Sequence, residues 1–196
     1  MYVGFKRLHV GVFDKDETKV IKKMLWEGQK GGTVNMNITG LAPDVIKVFA
    51  SDGAVWTAKK GTGDVKADVE LFNVPHEDIN EVLGLDVEGG EAWAGTDTQA
   101  PYIAVIGETA DDDGNPILIA LPKGTATLDS IQLSTLEEKA KVPENDKLSI
   151  SCVNAKIDGK ERVYGKYVAT SSDDAGVQAF MDKIFVGYTP EQVPAG

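Results

Sequence analysis

The chain runs to 196 residues and sets 31 acidic against 20 basic side chains, a formal charge of -11, with Cys152 its one cysteine. That balance leaves no basic stripe to grip duplex DNA, and a lone cysteine excludes an intrachain disulfide and a zinc cluster, favouring an intracellular folding compartment. With no run of about 18 apolar residues and no basic-then-apolar leader pattern, the expectation is a soluble single domain over 1–196 with extended N- and C-terminal arms.

In chain order, Tyr2 to Phe13 places Val3 and Phe5 in one phase and Leu8, Val10 and Val12 in the other, which predicts a strand with a bulge near Lys6 and Arg7. The acidic turn Asp14 to Glu17 leads to a short strand, Thr18 to Lys22, and Thr33 to Thr39 sets Val34, Met36 and Ile38 against polar neighbours at period two. After the Gly40-Leu41-Ala42-Pro43 break, Val45 to Ala50 and Ala54 to Ala58 predict a hairpin about Ser51-Asp52-Gly53, carrying Val48, Phe49, Val55 and Trp56. A lone two-stranded hairpin is marginal in water, so it packs either on a neighbouring subunit or back on its own core.

From Asp64 to Leu71, Val65, Ala67, Val69 and Leu71 share one face, and Asp64, Lys66, Asp68 and Glu70 share the other. Pro75 opens a short helix with Ile79, Val82 and Leu83 on its apolar side, and Gly84 ends it. Asp86 to Pro101 reads as an irregular excursion with a short strand at Ala92 to Ala94; Tyr102 to Glu108 is a strand that turns through Asp111 to Pro116.

Ile117 to Leu121 is apolar on both faces, as a central strand covered from two sides would be. A Pro122-Lys123-Gly124 break, a strand to Leu133, a charged loop Ser134 to Asp146 and an alternating strand Lys147 to Val153, with Leu148, Ile150 and Cys152 inward, come next. Asp158-Gly159 reads as a turn and Arg162 to Ala169 as a strand. Ser172-Asp173-Asp174 caps a second helix, Ala175 to Phe185, whose Val177, Phe180, Met181, Ile184 and Phe185 should lie over one face of the sheet. The tail from Gly187 reads as extended.

Chemistry-bearing motifs are absent from the sequence: no phosphate-binding glycine loop ending in Gly-Lys, no Gly-x-Ser-x-Gly elbow, no His-Glu-x-x-His and no Cys-x-x-Cys. The Asp111-Asp112-Asp113-Gly114-Asn115-Pro116 turn fails as a calcium loop because proline occupies the sixth position, where glycine is required. His9 and His76, far apart in sequence, offer no nucleophile-base pair. No catalytic, cofactor-binding or metal-binding residue is expected, and the chain is not read as an enzyme.

A set of short motifs spans nearly the whole chain: Tyr2-Val3-Gly4-Phe5-Lys6-Arg7 with Val10-Gly11, Ile38-Thr39-Gly40-Leu41-Ala42-Pro43 with Lys47-Val48, and Gly61-Thr62-Gly63-Asp64-Val65-Lys66. Pro101-Tyr102, Lys123-Gly124 leading to Leu128-Asp129, Glu137-Glu138-Lys139 with Pro143-Glu144-Asn145-Asp146-Lys147-Leu148, and Gly165-Lys166-Tyr167 complete it. In this the chain resembles the major tail proteins, or tail tube proteins, of long-tailed bacteriophages with non-contractile tails. The resemblance implies a mainly β (α+β) fold, a β-sandwich or barrel-like core with one or two flanking α-helices. It also implies hexameric rings stacked as a tube through which the genome leaves, with tape-measure, tail terminator and distal tail proteins as partners. The expected location is the virion tail, after assembly in the host cytoplasm, with no membrane contact.

Within that frame, Val48, Phe49, Val55 and Trp56 of the hairpin and Glu137, Glu138 and Lys139 of the charged loop are expected at subunit or ring contacts, with both chain ends. Asp64, Asp68 and Glu70 are expected to face the lumen, where an acidic wall passes DNA without binding it specifically. The rival class is a carbohydrate-binding β-sandwich module of a surface or virion protein, using Trp56 and Trp93 as platforms.

Overall fold

The computed structural model describes residues 1–43, 61–128, 130–131 and 145–189, and the backbone of 46–50 and 53–58. Its elements are β1 (Val3–Phe13), β2 (Val20–Trp26), β3 (Gly32–Thr39), β4 (Ile46–Ala50), β5 (Gly53–Ala58), β6 (Lys66–Phe72), α1 (His76–Leu83), β7 (Asp86–Glu88) and β8 (Glu91–Trp93). They continue with β9 (Tyr102–Ala110), β10 (Pro116–Thr127), β11 (Asp146–Cys152), β12 (Ala155–Ile157), β13 (Lys160–Arg162), β14 (Gly165–Val168) and α2 (Ala175–Ile184). The protein is mainly β, a large antiparallel sheet with two helices in a sandwich-like arrangement.

That sheet runs β2-β1-β9-β10-β11-β6-β3, with β14 also paired to β10. Its two ends meet through the core: Leu8, Val10, Met24 and Trp26 from one side share a cluster with Ala67, Val69, Leu71, Leu148 and Ile150 from the other. The sheet therefore curls over its own apolar face. Strand alternation accounts for this, because every second residue of β6 and β11 points inward. Thr33 Oγ1 donates to the Phe5 carbonyl and ties β3 to β1 where the curl brings them together.

The opposite face of β1, β9 and β10 carries a second core, in which Ala104, Ile106, Leu118 and Ala120 meet Met181 and Ile184 of α2 and Phe185 at its C-terminal cap. Strands β9 and β10 are thus covered on both faces, as the apolar run Ile117 to Leu121 predicts. Helix α1 contributes buried Val82 to the inner core, and Gly84 ends it in the left-handed conformation. The Trp26 indole, fully inside, donates to Asp78 of α1 at 2.9 Å.

Several local expectations shift. The predicted bulge near Lys6 and Arg7 is present as a register change between Val3 and Arg7 against β9. The second strand starts later than Thr18 and extends to Trp26. A bulge between Val12 and Phe13 skips Ile21, so Val20 faces α2 while Met24 and Trp26 face the inner core. In β3, a second bulge between Thr33 and Asn35 leaves Val34 47% exposed instead of inward. The Pro122 to Gly124 break proves to be an irregularity between Leu121 and Gly124 inside one continuous strand. Arg162 to Ala169 is split between β13 and β14, and Asp86 to Trp93 forms a hairpin of its own.

Candidate assembly surfaces

The outward face of β6 is built by register. Lys66 lies beside Thr39 and Ser151, Asp68 between Asn37 and Ser149, and Glu70 between Asn35 and Lys147. Val65, Ala67, Val69 and Leu71 are buried, so Asp64, Asp68 and Glu70 do lie on the side away from the core. Asp64 pairs with Lys66 at 3.0 Å, Glu70 with Lys147 at 3.4 Å, and Ser149 Oγ donates to Asp68 at 2.6 Å. The three carboxylates thus sit among hydroxyl and amide side chains with two lysines beside them. Period two in the sequence carries the acidic row, but Lys147 lies 77 positions from Glu70 and only the pairing of β11 with β6 brings it there.

The β4–β5 hairpin forms as predicted, with Val48 opposite Trp56 and an irregularity between Val48 and Phe49, and Val55 lies in the second strand. Its strands pair with each other in a sheet of their own. At its base Gly40, at φ 74, lies so close to the Asp64 carbonyl that any side chain there would collide with backbone. Glu137, Glu138 and Lys139 lie outside the described residues. Trp93, 63% exposed, stands at the end of β8 and donates its indole N–H to Glu91 at 3.0 Å.

Sequence reasoning missed two features. One is a groove of about 920 Å³ between the β1–β2 turn, α1 and the 97–102 segment, assembled from three separated stretches. The other is a polar cluster outside the inner core: His9, only 7% exposed, lies 3.4 Å from Glu108, which Arg7 approaches at 3.5 Å while reaching Glu27 at 3.2 Å. The His9 hydrogen bond, helped by the Arg7 charge and opposed by burial, holds the Glu108 carboxyl below the ordinary range. His9 Nδ1 is buried with no hydrogen-bond partner among the described residues. The alternation that put Leu8 and Val10 inward also implies that His9 faces out; that the pairing of β1 with β9 sets Glu108 beside it was not readable.

Among the described residues no group of three or more His, Cys, Asp or Glu is placed to hold a metal ion. No helix among them is long and apolar enough to cross a membrane. The class so defined is an antiparallel β scaffold with Asp64, Asp68 and Glu70 on an outward sheet face and a β4–β5 hairpin paired in a sheet of its own. The family model described as phage tail tube protein matches residues 2–193, and the chain belongs to that family. It is therefore a structural protein of the bacteriophage virion, located in the tail. Comparison with curated proteins found no match.

Proposed function

We propose that this chain, acting as one domain over 1–196 with its two ends as arms, forms homohexameric rings that stack into the tail tube. That tube conducts the genome into the host during ejection. Subunits assemble in the host cytoplasm, around a tape-measure protein and between terminator and distal tail proteins. The family match along residues 2–193 is the observation that carries this reading. The β4–β5 hairpin, the loop bearing Glu137, Glu138 and Lys139, and the chain ends supply the ring and subunit contacts.

Asp64, Asp68 and Glu70 face the lumen in this reading. Lys66 and Lys147 beside them leave one negative charge in excess, and the intervening Asn, Ser and Thr side chains keep the wall hydrated. Affinity for DNA comes from cations that neutralise phosphates, each adding roughly 0.9 to the salt slope, so this wall passes duplex DNA without holding it. Electron microscopy of the purified protein at high concentration tests assembly: rings or tubes are expected, and a monodisperse monomer overturns it. Duplex DNA retention by tubes at low salt tests the wall. Weak retention by the native protein and a clear gain in Asp64→Lys with Asp68→Lys are expected; no gain removes these residues from the lumen.

A further inference from the structure

From Ala67 to Pro122 the sequence holds no lysine or arginine, yet it holds 13 of the chain's 31 acidic side chains. The rest of the chain is close to balance, with 18 acidic against 20 basic. All of the excess charge therefore resides in this one stretch, and the fold decides where it surfaces.

Seven of the 13 lie between Glu77 and Asp97, along α1, β7, β8 and the segment that follows. Three of these are engaged: Asp78 accepts from the Trp26 indole, Glu91 from the Trp93 indole at 3.0 Å, and Glu81 pairs with Lys22 at 2.5 Å. Glu77, Asp86, Glu88 and Asp97 have no ion pair among the described residues. The groove beside α1 opens within this charge, lined by Glu77 and Asp97 together with Ile21 and Val87, which are 56% and 55% exposed. The β1–β2 turn adds Asp14, Lys15 and Glu17 to the lining, and Lys123 pairs with Glu17, so that wall contributes no net charge.

The ribbon beside the groove is as open. Strands β7 and β8 have three residues each, all exposed, with Val87 and Ala92 on one face and Asp86, Glu88, Glu91 and Trp93 on the other. A ribbon this small gains little from burial within its own chain. Apolar contact, uncommitted carboxylates and an indole face open to a cation thus share one region of the surface.

We propose that this groove and ribbon bind a basic segment of a different polypeptide, its apolar side chains against Ile21 and Val87 and its lysine or arginine side chains toward Glu77, Asp97 and the carboxylates of the ribbon. A second copy is a poor occupant, because its charges repel over 67–122 and nearly cancel elsewhere. Duplex DNA carries the same sign as the site. The concentrated negative field draws a basic segment in, and the apolar floor selects among basic segments those that can also bury side chains. One chain supplies the whole groove, so the contact requires no ring.

The test titrates full-length protein, at concentrations where it is unassembled, into a fluorescent peptide alternating lysine and valine. Lysine–serine and glutamate–valine peptides are the comparisons. Anisotropy should show the lysine–valine peptide bound several-fold more tightly than either, and less tightly as salt rises. Val87→Ser, and Glu77→Lys with Asp97→Lys, should each weaken that binding several-fold. Asp112→Lys with Asp113→Lys, the same change of total charge in the exposed β9–β10 turn, should leave it nearly unchanged. Equal loss in the turn variant, or no loss in Val87→Ser, overturns the proposal by reducing the effect to net charge. Self-association of the native chain in sedimentation, abolished by Glu77→Lys with Asp97→Lys, would overturn it in favour of a second copy.

Discussion

The ring of Phe185 rests directly on Gly11: a Cβ built on that glycine would stand 2.6 Å from Phe185 Cδ1 and 2.9 Å from Val20 Cγ1. Lys23, opposite Gly11 on the edge strand, completes the contact by holding its ammonium 4.9 Å from the ring centroid. The end of α2 is therefore seated by the absence of one methyl group. Gly11→Ala should push Phe185 off the sheet and cost about 1–3 kcal/mol through overpacking. Urea denaturation measures it, and an unchanged midpoint would show that the helix slides without loss.

The start of the same helix is held by Asp174. Its carboxylate accepts from the Thr170 amide at 2.9 Å, the Gly176 amide at 2.8 Å and the Tyr167 hydroxyl at 3.0 Å. The two backbone hydrogen bonds, then the tyrosine, pull its pKa down to about 2. A carboxyl depressed on folding contributes stability above its unfolded value, about 3.9, and loses it as pH falls toward the folded value. Protection factors of the α2 amides, corrected for the intrinsic exchange rate at each pH, should accordingly fall between pH 4 and about 2 before those of the sheet amides do. Asp174→Ala should show that lower protection at neutral pH, and equal protection in the variant would remove the cap from the account.

Cys152 lies on the inner face of β11, and burial, followed by the nearby Asp64 charge, pushes its thiol up to about 11. Since the thiolate is the reactive form, native protein at pH 8 should react with thiol reagents orders of magnitude more slowly than unfolded protein. Cys152→Ser should cost on the order of 1–3 kcal/mol by placing a hydroxyl against Leu148 and Ile150, with Ala milder. Rapid labelling of the folded chain would contradict the burial.

Asp78→Ala isolates one polar link between α1 and the core. It leaves the Trp26 indole N–H, buried and bonded to Asp78 alone among the described residues, without an acceptor. A loss of about 1–3 kcal/mol is expected in thermal or urea unfolding, and Asp78→Asn, which keeps an acceptor oxygen, should recover part of it. Equal effects of the two substitutions would assign the loss to charge instead of the hydrogen bond.

Where period two ran without interruption, the sequence was a direct guide. Val65, Ala67, Val69 and Leu71 are buried and their polar neighbours face out, and Leu148, Ile150 and Cys152 behave likewise. Capping chemistry placed both helices, with Gly84 and Asp174 in the predicted roles. The failures sit at bulges. Ile21 and Val34 each occupy an extra residue in a ladder, so the alternation on either side is sound but the phase between is not. Pairing partners were equally hidden, because Lys147 beside Glu70 and His9 beside Glu108 depend on strand order. The groove was illegible for the same reason: no single stretch contains it.

Strand β10 has a mechanical consequence. Along its 12 residues it is hydrogen-bonded to β9, and to β14 over one half and β11 over the other, with the Leu121–Gly124 irregularity between them. A pull along that strand loads three ladders lengthwise, so many hydrogen bonds must yield together, whereas peeling breaks them one after another. Tension applied along β10 would meet the stiffest direction of the fold, with the irregular step at Leu121 to Gly124 as the point where strain first becomes visible.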